Sequence, residues 1–128
     1  VDYFARVAEA ADCGLLLDVA HLAVFQRVRV HDPFEAFERI PFDRLVELHV
    51  AGGAPFEIDG RAFVDDDHGP EPLPETWDLL QAILPRATRL RAVVFEAERN
   101  PREKVEPAFE RLRDLVAATT AAPTTLPS

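Results

Sequence analysis

The sequence predicts an α/β fold built on a parallel sheet, and three observations predict it. Three short apolar runs, residues 14–18 (GLLLD), 45–49 (LVELH) and 92–96 (AVVFE), each end in a carboxylate or an imidazole. The first run is apolar without alternation, which marks a strand buried on both faces rather than one. Between the runs lie segments with helical spacing, and alternation of strands with helices implies parallel strands joined by right-handed crossovers. In such sheets ligands sit at the carboxyl ends of the strands, where Asp18, His49 and Glu96 fall.

At 128 residues the chain is one domain, or part of one, and its 48% hydrophobic content supplies a real core. No apolar run approaches a membrane span and no secretory signal opens the chain. Cys13 is the single cysteine, so no internal disulfide can form, which suits a reducing cytoplasm. A net charge of −9 argues against a nucleic-acid partner and is compatible with a cation site, although acidic surfaces more commonly serve solubility. The chain opens at Val1 and holds no methionine, so the expectation is a fragment, a processed product or a partial gene.

Residues 1–12 space Phe4, Val7, Ala8 and Ala11 along one helical face, and Gly14 is placed to end that helix in the left-handed conformation. Cys13 reads as a small buried residue at the entry to the first strand. The segment 19–30 fits either a short helix or an irregular loop. Asp32, Pro33 and Glu35 form a helix start, with an N-cap aspartate, proline at the first position and an acid at the third. That helix would bury Phe34, Phe37 and Ile40 and stop at Pro41.

The second strand is expected over 44–50. A hairpin over 56–64 turns at Asp59 and Gly60 and leads to the polar run Asp65-Asp66-Asp67-His68. A helix over 74–84 packs Trp77, Leu80 and Leu84 and is ended by Pro85. The third strand, 91–96, leads to a helix start of the same type at Asn100, Pro101 and Glu103. Val105, Phe109, Leu112 and Val116 make its buried stripe, and Pro107 is expected to kink its first turns. From residue 117 the chain is rich in Ala, Thr and Pro and reads as a disordered tail.

Each chemistry-bearing residue also has a purely structural reading. Asp18 could cap the helix after it, His49 could be a hydrogen-bonded core histidine, Glu96 could pair with an arginine, and the run 65–68 could be a solvated turn. Their shared position at one edge of one sheet favours a joint role. Two carboxylates and an imidazole suit iron, manganese or zinc and disfavour copper(I). His21 near Asp18, with Asp66 and His68, could serve a second ion, while His31 is assigned to the surface. There is no glycine-rich phosphate loop, nucleophile elbow or paired-cysteine motif.

GLLLDVAHL, LVELHVAGG, DDDHG followed by a Pro-Glu-x-Trp helix, and VVFEAERNP stand in the order and spacing of the DUF692 (UPF0276) family, which residues 1–116 resemble. These are multinuclear non-haem iron-dependent oxidases that modify cysteines of ribosomally made peptides. The resemblance implies the C-terminal half of a TIM-type (β/α)8 barrel of the xylose-isomerase-like group. A whole barrel takes about 250 residues, so an N-terminal half would complete it. It further implies that Asp18, His49 and Glu96 ligate one iron and that His21, Asp66 and His68 ligate another, for two or three iron ions in all. The family motif Glu-Ile-His-Leu-x-Gly-His has a second histidine where this chain has Gly53.

The implied partners are a precursor peptide and a protein that presents it, and the implied reaction is an O₂-dependent oxidation for which the 128-residue chain alone would be inactive. A manganese- or zinc-dependent sugar isomerase or endonuclease-like barrel, and a non-catalytic remnant of the family, are the alternative readings.

Overall fold

The structure is a computed structural model that describes residues 1–121. In chain order the elements are α1 (Asp2–Ala11), β1 (Leu15–Asp18), α2 (Val19–Val28), β2 (Leu45–Ala51), β3 (Ala54–Ile58), β4 (Arg61–Asp65), α3 (Pro74–Ile83), β5 (Ala92–Glu96) and α4 (Arg102–Ala121). β1, β2 and β5 form a three-stranded sheet in that order, parallel throughout, and β3 and β4 form a separate antiparallel hairpin. This is the α/β arrangement the alternation implies, and it is compatible with part of a TIM-type barrel.

One face of the sheet is buried by the helices. Leu45, Leu48 and Val50 of β2 meet Val19 and Ala23 of α2, Trp77, Leu80 and Ile83 of α3, and Ala108 and Leu112 of α4 in a single cluster. The guanidinium of Arg111 lies 4.2 Å from the Trp77 ring centroid and ties α4 to α3. Arg27 on α2 reaches Glu75 on α3 at 3.2 Å. The opposite face carries Leu16, Glu47, His49, Val94 and Glu96, because period-two alternation and the parallel register bring these residues to the same side.

That second face is open. Leu16 is 50% exposed and Val94 37%, so β1 is not covered on both sides as its apolar run implied. On the same side His49 and Glu96 are partly buried. α1 also departs from expectation: Ala8 is fully buried while Phe4 is 63% exposed, which leaves much of the apolar stripe in solvent. Its end is made by Asp12 in the left-handed conformation (φ 47°), not by Gly14. Cys13, expected to be buried, is exposed.

One expected helix start does not lead into a helix. Asp32 does accept the Phe34 N–H at 2.7 Å, but the result is a turn followed by a 3₁₀ turn over Phe37–Arg39. The Glu35 carbonyl, which a helix would use, accepts from Gln26 Nε2 at 2.8 Å, and Ala36 turns to φ 64°. Ile40 is buried as expected, but Phe34 remains exposed. The ambiguous segment after Asp18 is the helix α2. α4 runs through Pro107 and on to Ala121, so residues 117–121 are helical rather than part of a tail. The rest of the expected tail, 122–128, lies outside the described residues.

The two faces of the sheet should respond differently to truncation. Leu48→Ala, at a fully buried position, should cost about 2–5 kcal/mol. Leu16→Ala, on the open face, should cost under about 1 kcal/mol. Urea unfolding of both variants checks this, and equal losses would mean that the open face is covered.

Candidate metal centre

Each of the three strands carries one chemical group at or near its carboxyl end: Asp18 and Glu96 end β1 and β5, and His49 lies two residues before the end of β2. Asp18 is both the last residue of β1 and the N-cap of α2, and its Oδ1 accepts the His21 N–H at 2.8 Å. The capping role weighed against a functional one is therefore real, and it serves the site by fixing the carboxylate. His49 pairs in register with Asp18 on one side and Val94 on the other, and Glu96 lies two residues beyond Val94. His49 Nδ1 stands 3.2 Å from Glu96 Oε1. One ligand atom each from Asp18, His49 and Glu96 lie within 4.8 Å of one another, with all three residues partly buried. An oxygen, nitrogen and oxygen set at that separation fits a divalent first-row cation.

The second group of expected residues is only partly assembled. His21 Nε2 is 2.8 Å from Asp66 Oδ2, which links the start of α2 to the loop after β4. His68 Nε2 lies farther from Asp66, at 3.7 Å, and its Nδ1 is taken by Glu98 at 2.7 Å. Among the described residues only Asp18, His49 and Glu96 gather tightly enough to make a three-donor cluster. His31 is apart from both groups, beside Glu35 at 3.1 Å, as assigned from the sequence.

Two carboxylates went unassigned in the sequence. Glu47 Oε1 is 2.9 Å from His49 Nε2, and its position two residues earlier on the same strand was the available signal. Glu98 lies past the end of β5, and only the tertiary approach of the loop at His68 reveals it. Asn100, expected to cap α4, uses its amide nitrogen instead to donate to the carbonyls of His68, Ala97 and Glu98 at 2.8, 3.1 and 3.1 Å. It thereby fastens the loop after β5 to the His68 loop, where His68 itself has φ 50°.

The glycines after β2 make this packing feasible. A Cβ at Gly52 would lie 2.3 Å from the Gly69 carbonyl oxygen, so only glycine lets the loop at residues 69–71 cross there. A Cβ at Gly53 would meet Val64 Cγ1 at 2.8 Å and the Asp65 carbonyl oxygen at 3.2 Å. In this arrangement the hairpin occupies the space a histidine at position 53 would need.

The electrostatics are those of imidazoles set among acids. Hydrogen bonding to Asp66 raises the pKa of His21, outweighing burial, and Asp18 adds to the rise. Glu47 raises that of His49, with Glu96 contributing. Glu98 raises that of His68, and the same contact lowers Glu98.

Comparison with known proteins places the chain in a family. Residues 1–121 match the family model described as RiPP precursor modification enzyme MbnB/TglH/ChrH. The chain belongs to this family. A UPF0276 protein of Anaeromyxobacter sp. (strain Fw109-5) is 31% identical over 93 residues, covering 73% of this chain and 31% of that protein. A UPF0276 protein of Acaryochloris marina is 34% identical over 84 residues, covering 66% of this chain and 29% of its own length. One from Neisseria meningitidis serogroup B is 28% identical over 117 residues, covering 89% of this chain and 41% of its own length. The chain thus spans about a third of the curated relatives it matches. No solved structure matches. Family membership supports the resemblance read from the motifs, and no helix among the described residues is long and apolar enough to cross a membrane.

The raised histidines set a pH dependence. A folded-state pKa above the unfolded value of about 6.5 stabilises the fold fully below that value, and the contribution disappears as pH rises through the folded value. Metal-free protein should therefore lose thermal stability as pH climbs above about 6.5. A divalent cation, which needs neutral imidazole, should bind more tightly across the same rise and release protons. Thermal unfolding and calorimetry in two buffers of different ionisation enthalpy would measure both, and a cation affinity independent of pH would contradict the account.

Proposed function

We propose that this chain is the C-terminal part of an iron-dependent oxidase that modifies cysteine residues of a ribosomally synthesised precursor peptide with O₂. The observation that carries the reading is the convergence of Asp18, His49 and Glu96 at the ends of three adjacent parallel strands. In this reading those three residues hold one iron, and His21, Asp66 and His68 contribute to a second. Iron would supply the electron transfers that bring a cysteine thiolate and O₂ into reaction. The chain's own residues orient and hold: Asp18 is fixed by capping α2, His49 by Glu47 and Glu96, and the His68 loop by Asn100. The crowding at Gly53 favours a two-ion centre over a three-ion one.

The reading also needs partners. Residues 1–116 would be the C-terminal half of a TIM-type barrel, and an N-terminal half would cover the face bearing Leu16 and Val94 and supply further ligands. The substrate would be a precursor peptide, delivered by a presenting protein, in the cytoplasm.

Protein purified together with the rest of its barrel should contain iron, and His49→Ala or Glu96→Ala should each remove most of it. Metal analysis by mass spectrometry, with circular dichroism to confirm folding, decides. Stoichiometric iron retained in both variants would defeat the proposal, and manganese or zinc with turnover independent of O₂ would favour an isomerase-like chemistry instead.

A further inference from the structure

We propose that Glu47, which lies outside the three-donor cluster, is a positioning residue that fixes which nitrogen of His49 faces the cation. The inference rests on the metal reading of that cluster and adds to it a residue and a role.

The geometry favours one arrangement for a neutral His49 ring, both of whose nitrogens face carboxylates. Glu47 Oε1 sits 2.9 Å from Nε2, a hydrogen-bonding distance. A carboxylate oxygen only accepts, and a neutral ring has one N–H for two carboxylate neighbours; the proton belongs on Nε2, whose contact with Glu47 at 2.9 Å is shorter than that of Nδ1 with Glu96 at 3.2 Å. The lone pair of the neutral ring is then on Nδ1, the nitrogen 3.2 Å from Glu96. Glu47 thus turns the ring's donor side away from the cluster and its acceptor side toward it.

The register neighbours of Glu47 are Leu16 on β1 and Ala92 on β5, neither of which can pair with a carboxylate. Among the described residues its recorded ion pair is with His49, so it does not serve as an arginine partner holding the sheet together. A carboxylate behind a ligating imidazole also makes the ring a stronger donor, and such partners typically change metal affinity by about 10–100-fold.

The test uses this chain with ¹⁵N-labelled histidine, above the pH at which His49 loses its charge. Long-range ¹H–¹⁵N correlation identifies the protonated nitrogen, and Zn²⁺ titration measures affinity. The wild type should show the Nε2–H form of His49 and a Zn²⁺-induced shift at Nδ1. Glu47→Ala should mix the two tautomers and weaken Zn²⁺ binding about 10–100-fold. Glu47→Gln, whose amide oxygen still accepts from Nε2–H, should restore the tautomer and much of the affinity. A merely structural role would move the ring signals of His21 and His68 as well, and these should stay in place.

An Nδ1–H form in the wild type, or an unchanged tautomer in Glu47→Ala, overturns the inference. Failure of the wild type to bind Zn²⁺ would instead count against the metal reading, with the tautomer still deciding the role of Glu47.

Discussion

Parallel pairing of β1, β2 and β5 is the constraint on which the rest of the structure depends. Parallel strands cannot be joined by a tight turn, so each must be followed by a crossover that returns the chain to the starting edge. All three carboxyl ends therefore lie together, and the register places Asp18 beside His49 and Glu96 two residues beyond the partner of His49 on β5. Side chains separated by many residues in the chain become neighbours without any loop having to be held precisely. The helices that make the crossovers bury Leu48 and Val50 and hold the sheet that carries the site.

The two faces of that sheet have different fates. The helix side is filled by aliphatic and aromatic residues from α2, α3 and α4. The other side bears apolar residues that remain in contact with solvent, together with the three donor groups. An apolar surface next to a half-buried polar cluster is what the interior of a barrel looks like when seen from within.

Much of the fold was legible because it rests on local signals. The three apolar runs, the Asp-Gly turn of the hairpin, whose residues have φ 50° and 75°, and the proline-started helix α3 all lie where the sequence places them. What escaped depended on partners distant in sequence. Asp32 carries a sound capping signal, but Gln26 diverts the carbonyl that would have extended the helix. Asn100 has the right type and place for a cap and is used to clamp a loop instead. Within the site, Asp18, His49 and Glu96 could be grouped because they share a strand-end position. The link from His68 to Glu98 could not be read this way, since it joins two loops whose approach only the packed structure sets.

The account stands on a cation shared by three strand ends, and anomalous X-ray diffraction from crystals of the iron-loaded protein would test that most directly. The account predicts an iron peak in contact with Asp18, His49 and Glu96 together. A peak elsewhere, with these three side chains contacting only each other and solvent, would contradict it.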